Sequence, residues 1–574
     1  MQIANVTITA SDNQDVIWNA INWQEVNSQV NNLRKRIYRA SSEGNMKLVS
    51  SLQKLMLRSK SNKLQAIRRV TQVNQGRNTA GVDKIVVNTD RDRNLLIKQL
   101  ASKDLKSVKP IKRVYIPKKD GKLRPLGLPT ILDRCRQAVV KSALEPYWEA
   151  KFEKCSYGFR PGRSAHDAIQ KIYGIVRPNK SRKWVLDADI EGAFDNVDHN
   201  YLLKIIGNFP ARQWIEAWLK SGVTQGYQKT PTMSGTPQGG VISPLLLNIV
   251  LHGMEELLEI SYWKNGAIKL SSECQLVRYA DDFLVFTRSQ KECLKAKEKI
   301  AHWLAERGLK LSENKTKIHN MDDGFDFLGF NVKHYKNSAK RTGKVLHIKP
   351  SKHSIKSFKK LMIIEWKRML GEPTNRVIEN LNPKIKGWCN HFKIGVSKET
   401  FSYLDHWMWQ RQSRYVARKH PNKYWHWKKE KYWGKIRGRN DQWVFMDKKQ
   451  HKELYLWKLA WTPIKRHIMV KGSSSPDNPE LREYWNKRQA KESKYIFKLR
   501  SILWRKQRGK CLVCRDNIDN GESIDIHHIK PRKLGGSDRL DNLVMLHTNC
   551  HRQVHSNAGK QLPDVRKLLE PYAG

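Results

Sequence analysis

Two short apolar runs, Gln275–Tyr279 and Phe283–Phe286, flank the adjacent acids Asp281 and Asp282. The pattern predicts strand, tight turn, strand, with both carboxylates at the tip. A second apolar run, Trp184–Leu186, ends in Asp187-Ala188-Asp189 and turns through Gly192 into a helix, so it carries carboxylates at a strand end. Val114–Pro117 and Leu126–Pro129 read as paired strands with a turn over Lys119-Asp120-Gly121-Lys122. Upstream, Val30, Leu33, Ile37 and Tyr38 recur at helical spacing in a basic stretch from Trp23 to about Arg69, a face that suits either a core or nucleic acid. Residues 1–20 read as polar and poorly structured. Past Pro350 the period becomes helical, with basic helices predicted over Ser354–Leu370, Ile378–His391 and Trp407–His420.

The breaks between these runs have their own chemistry. Asn74–Asp83 is a Gly/Asn-rich loop, and Lys471–Pro479 is Gly/Ser/Pro-rich and reads as a linker, followed by a basic helix over Leu481–Gln507. Tyr157–Ser164 leads into a helix from Ala165 with Ser164 as N-cap; Arg160 and Arg163 there suit a phosphate backbone or a structural turn. Ser234–Pro244 is a Gly-rich loop running into the apolar helix Leu245–Met254. Its bare backbone would allow close approach to a sugar or base pair, with Gln238 as a polar contact.

Composition narrows the partner. The 574 residues hold 108 Lys+Arg against 54 Asp+Glu, a net charge of +54 that calls for a polyanion. The basic residues are spread over the whole chain and interleaved with aromatics, which favours nucleic acid over a membrane surface. Residues 401–500 alone hold 25 Lys+Arg, nine Asp+Glu and nine of the 20 tryptophans, a mixture suited to phosphates and stacking; half or more of these indoles are expected in the core. No apolar run reaches the about 18 residues of a membrane span, and Met1-Gln2-Ile3-Ala4 does not open a secretory signal. Eight cysteines are too few for a disulfide framework, and three of them fall in the last 64 residues.

Those three belong to a pair of two-residue-spaced couples, Cys511-Leu512-Val513-Cys514 and His547-Thr548-Asn549-Cys550, with the spacing of a structural zinc site. The fourth ligand is His547, a water, or absent. His551 and His555, four apart, share one helical face. At the acidic hairpin, Asp281 and Asp282 could hold divalent metal once a third carboxylate joins them. Asp189 is the candidate; Asp187 and Asp195 are alternatives better read as solvent-facing or hydrogen-bonded groups. Lys118 or Lys119, and better Arg124 with its forked guanidinium, would lie over nucleotide phosphates, and Phe194 near an incoming sugar.

The ordered blocks Arg124, Tyr157-Gly158-Phe159, Asp189 with Phe194, Pro237-Gln238-Gly239-Gly240, Tyr279-Ala280-Asp281-Asp282, Gly308-Leu309-Lys310-Leu311-Ser312 with Lys315-Thr316-Lys317, and Phe327-Leu328-Gly329-Phe330 resemble a reverse transcriptase. Gly158-Phe159-Arg160-Pro161 and Phe327-Leu328-Gly329-Phe330 point to the group II intron-encoded kind, and Leu381–Trp388 resembles its thumb-like maturase region. The resemblance implies an α+β multidomain chain. An N-terminal basic helical extension (1–69) would precede right-hand polymerase fingers and palm (70–340) and a helical thumb or maturase domain (341–425). A basic DNA-binding region (426–505) would follow. It implies two Mg²⁺ held by Asp189, Asp281 and Asp282, and Phe194 as a steric gate favouring dNTPs.

Residues 506–574 contain Ile526-His527-His528-Ile529, Gly535-Gly536-Ser537, Asp541-Asn542-Leu543 and Cys550–His555, and look like an HNH endonuclease of the ββα-metal type. That likeness makes His528 the general base, His527, His551 and His555 divalent-metal ligands, and Asn542 the residue that orients the base's loop. Such families usually carry Cys where His547 stands. A reading in which every histidine serves zinc leaves His528 and Asn542 unexplained. The implied partners are intron RNA in a ribonucleoprotein, a double-stranded DNA target and dNTPs, with no membrane; the implied location is a bacterial cytoplasm or an organelle.

Overall fold

The computed structural model describes residues 16–556 except 103, 106–107, 118–122, 226–227, 237, 264–267, 270, 437, 449–453, 492–497 and 532–533. Lys118, Lys119 and Pro237 therefore lie outside the described residues, as do positions 1–15 and 557–574. The chain forms two compact units, each assembled from separated segments. Residues 1–152, 192–251 and 473–574 make one, and 153–191 with 252–472 make the other. The stretch 70–340 is thus shared between both.

In the first unit the basic N-terminal stretch forms three helices, Trp23–Ser42, Met46–Arg58 and Lys60–Arg68. Asn22, Asn45 and Ser59 start them by accepting from the N–H groups of Glu25, Leu48 and Asn62. Val30 and Ile37 are fully buried, so the apolar stripe faces a core. Helix Ile131–Glu149, capped by Thr130, packs across these three. A four-stranded sheet runs in the order Leu123–Leu128, Ile111–Pro117, Val223–Gln225, Gln228–Thr230. The first pair is antiparallel, as the hairpin pattern predicts.

Two expectations fail here. Residues 1–20 are not uniformly polar: Trp18 is 3% exposed and begins a short helical turn, because an indole beside Ile21 and Trp23 has an apolar core to enter. That core is one cluster joining Trp18, Trp23, Ile67 and Val70 to Leu503, Trp504, Leu512 and Leu543–Leu546. Nor is the segment after Gly472 a free linker. Asp477 is buried and takes a forked pair of bonds from Arg34 at 2.8 and 2.7 Å, while Arg34 also reaches Glu145 at 2.9 Å. Trp485 Nε1 donates to Ser475 O at 2.8 Å, so the short side chains that suggest flexibility serve to let backbone and carboxylate dock. The basic helix beyond it is present as Arg482–Lys491 and Lys498–Lys506, on either side of residues outside the description.

The second unit is built on an antiparallel sheet ordered Gln275–Tyr279, Asp282–Thr287, Trp184–Asp189, Lys317–Asn320. The helix Gln290–Ala305 covers one face. A three-stranded sheet follows, Phe325–Phe327, Phe330–Lys336 and Lys344–Pro350, then helices Lys352–Arg368, Thr374–Phe392 and Lys398–Lys419. Their core is aromatic: Trp388 packs on Phe358, Phe392 and Phe401 with ring centroids 4.5–5.9 Å apart. Of the nine tryptophans between 401 and 500, Trp433, Trp457 and Trp485 are buried, fewer than expected. Trp425, Trp427 and Trp443 are exposed, with Lys431 4.4 Å over Trp427 and Lys429 4.5 Å over Trp443. Cationic neighbours on both indoles keep the rings hydrated enough to stay at the surface. No described helix is long and apolar enough to cross a membrane.

Candidate active sites

The carboxylates converge through strand register. Asp189 ends its strand directly opposite Asp282, the first residue of the neighbouring strand, and the two side chains share a hydrogen bond. Ala280 and Asp281 form the two-residue turn, with Ala280 in the left-handed region at φ 61°. Asp187 lies two residues before Asp189 and so on the same face. Burial pushes Asp282 up to about 8, helped by its bond to Asp189 and the charges of Asp281, Asp189 and Asp187. Burial likewise lifts Asp187 to about 7, with Asp189 and Asp326 adding repulsion. Half-buried acids that repel one another form a donor set short of positive charge, which divalent cations satisfy. Lys315 already answers it in part by pairing with Asp189.

The turn is held from below. The backbone of Ser156-Tyr157 lies along Arg278 as an added strand, Tyr157 N donating to Arg278 O and Arg278 N to Cys155 O, each at 2.9 Å. Gly158 then presses on the turn itself: a Cβ there would lie 2.3 Å from Ala280 N. This explains why Tyr157-Gly158-Phe159 accompanies the acidic hairpin. Beneath, the guanidinium of Arg278 is wholly buried, 3.8 Å from Glu153, whose carboxylate also accepts from the N–H groups of Gly253 and Glu255. Arg160 and Arg163 donate to backbone carbonyls of Glu153, Ser156 and Lys154, so both serve the structural turn.

The residues expected around a nucleotide lie in the first unit. Arg124 is exposed on its strand opposite Ile116. Phe194, Asp195 and Gln238 line a small cavity of about 70 Å³ with Arg113, Pro125 and Gly127. Gln238 Nε2 donates to Asp195 at 2.9 Å, and its carbonyl accepts from Gly127 N at 2.5 Å. Asp195 is therefore a hydrogen-bonded structural acid. Gly239, at φ 111°, lets this loop meet the sheet, since a Cβ there would stand 2.5 Å from Gly127 O.

Near the C-terminal end, strands Ile524–His528 and Leu543–His547 pair antiparallel and run into helix Thr548–His555. His527, His551 and His555 bring one ring nitrogen each within 4.8 Å of one another. Asp525 accepts from His551 Nδ1 at 3.1 Å. Burial first, then its histidine neighbours, pulls His527 down to about 4, leaving a neutral ring able to ligate. His528 points elsewhere, with Nε2 2.7 Å from Asp538. Asn542 accepts from Lys530 N–H at 2.7 Å and donates to the carbonyls of Lys530 and Ser537 at 3.0 and 2.7 Å. It closes the loop that follows His528.

The second cluster is separate and fully buried: Cys511, Cys514, His547 and Cys550 also lie within 4.8 Å of one another. His547 Nδ1 faces Cys514 Sγ at 3.3 Å while Nε2 meets the Asn517 carbonyl at 3.0 Å, the two-sided bonding of a metal-bound imidazole. All eight cysteines are free. Sequence reading overlooked Arg278, Glu153, Asp525 and Asp538. Arg278 did leave a signal, since a cation inside an apolar strand needs a buried partner. Asp525 did too, as it shares His527's face two residues away.

An acidic hairpin of this form, in a chain that also carries a histidine hairpin-and-helix, defines a reverse-transcriptase-type protein with a nuclease-type unit. Family profiles agree: "Reverse transcriptase (RNA-dependent DNA polymerase)" matches residues 116–332, "N-terminal domain of reverse transcriptase" 18–100, "Group II intron, maturase-specific domain" 355–433 and "HNH endonuclease" 511–557. The chain belongs to the group II intron-encoded reverse transcriptase/maturase family and has a C-terminal HNH domain. It is 35% identical over 295 residues to Protein YkfC of Escherichia coli, covering 46% of this chain and 77% of that one. It is 29% identical over 392 residues to Group II intron-encoded protein LtrA of Lactococcus lactis, covering 54% of this chain and 65% of that protein's length. Maturase-like protein 1 of Euglena gracilis is 26% identical over 383 residues, 65% of this chain and 76% of that protein.

Proposed function

We propose that the protein copies RNA into DNA, assists splicing of its parent group II intron, and cuts a DNA strand to supply the primer. The observation that carries the polymerase reading is Asp189 held opposite Asp282 with Asp281 at the adjoining turn. In this reading those three acids hold two Mg²⁺. When bound, the metals would polarise the primer 3′-hydroxyl and the departing diphosphate. The chain's own residues do the rest. Gly158 and Arg278 keep the turn fixed, Arg124 and Lys119 grip phosphate, and Gln238 and Phe194 bound the sugar. Phe194 excludes a 2′-hydroxyl by bulk, so Phe194→Ala should admit ribonucleotides.

The proposed layout is right-hand fingers and palm over 70–340, a thumb and maturase region over 341–425, a DNA-binding region over 426–505 and a ββα-metal endonuclease over 506–574. Trp425, Trp427 and Trp443 with Lys429 and Lys431 support RNA or DNA binding by stacking and cation–π contact. In the endonuclease, His528 takes the proton from the attacking water, Asp538 aims its ring, and Asn542 holds the loop. His527, His551 and His555 would hold a divalent cation, which would stabilise charge on the scissile phosphate. Cys511, Cys514, His547 and Cys550 would hold structural Zn²⁺.

The deciding experiment is primer extension on an RNA template with dNTPs and Mg²⁺, alongside sequencing of co-purified RNA. Template-dependent extension and an intron partner are expected. Folded protein that binds intron RNA without extending would instead make it a splicing cofactor with a relic polymerase.

A further inference from the structure

The buried cysteine cluster is not closed by its own domain. Helix Lys60–Arg68, more than 440 residues upstream of Cys511, sends Arg68 into it. Arg68 is 7% exposed, and its Nη2 lies 3.0 Å from Cys550 Sγ and 3.6 Å from Glu522. It is also packed 4.5 Å from the ring of Trp23. From helix Trp23–Ser42, Asn27 donates to the carbonyl of Cys514 at 2.9 Å. In return, Gln553 reaches the carbonyls of Asn19 and Ile21 at 2.9 and 2.8 Å. Two of the four cluster residues are thus bonded by the N-terminal helices.

We propose that the N-terminal helices are part of the endonuclease's zinc centre, with Arg68 as a positioning residue that holds the Cys550 thiolate for the metal. The inference rests on the zinc reading above. Three thiolates and one imidazole leave a Zn²⁺ centre with a net negative charge in a fully buried site, so a donor on sulfur lowers the cost of that charge. Arg68 is placed to supply it, and Glu522 and Trp23 fix the guanidinium in turn. Metal retention by the C-terminal unit then depends on a helix of the N-terminal one.

The test uses full-length protein and reads zinc itself. Zinc per chain is measured by elemental analysis, and release is followed with a chromophoric chelator. Wild type should hold one structural zinc. Arg68→Met should release it at least about tenfold faster, the lower end for loss of an outer-shell partner, and Arg68→Lys should restore most of the retention. Gln553→Ala, which loosens the clasp away from sulfur, should change release less than Arg68→Met. If Arg68→Met does not fold, Arg68→Ala, which likewise removes the donor on Cys550, is read the same way. Wild type without structural zinc would sink the zinc reading. One zinc per chain with release unchanged in folded Arg68 variants, or accelerated equally by Gln553→Ala with no rescue by lysine, would overturn the role of Arg68 alone.

Discussion

The carboxylate hairpin and the histidine hairpin solve one problem, the close approach of like groups, by different means. At the first, backbone does the work. Strand register sets Asp189 against Asp282, and Gly158 meets the turn with no side chain between. At the second, side chains do the holding: Asp525 on His551, Asp538 on His528, and Asn542 on the backbone across the loop. Backbone support is stiff and unforgiving, because a single methyl group has nowhere to go. Side-chain support is graded, because each bond is removed singly.

That contrast can be broken or sharpened by substitution. The largest effect should be Asp281→Ala, which removes a proposed metal ligand and no RNA contact. Primer extension should fall by about 10³-fold or more, with intron RNA binding retained in a filter assay; lost binding would show that the functions were wrongly separated. Next, His528→Ala should lower second-strand DNA cleavage by about 10²- to 10⁴-fold and leave extension intact; failure of first-strand insertion as well would count against the assigned role. Gly158→Ala tests the stiff support: displacement of the turn should cost about 10²-fold in extension while all three acids remain. An unchanged rate would mean the turn yields. The smallest change should be Asp538→Asn, about tenfold slower cleavage, and a loss equal to that of His528→Ala would make the second site as brittle as the first.

Both sites were legible wherever their chemistry is local. The acidic turn, the carboxylate at a strand end, the paired Cys/His spacing and the histidines four apart are properties of short windows, and each lies where its window predicts. Arg278 and Asp525 aside, the supports were not legible, because they join distant segments. Nothing near Gly158 says that its missing side chain makes room for Ala280, and nothing near Trp18 says that it shares a core with Leu543. Composition misled where small polar residues dock: Ser475 and Asp477 look like linker residues and are buried. It also misled over the tryptophans, since lysines over Trp427 and Trp443 keep those rings outside.

The shared core has a consequence in time. Trp18, Trp23 and Ile67 leave the ribosome more than 440 residues before Leu512 and Leu543–Leu546, with which they share a core. At about 5–20 residues per second, synthesis of the intervening chain takes roughly half a minute to a minute and a half. For that interval a nascent protein displays an apolar surface whose natural cover does not yet exist. Early chaperone engagement, or an RNA already bound to the basic helices, would have the whole of that window in which to act.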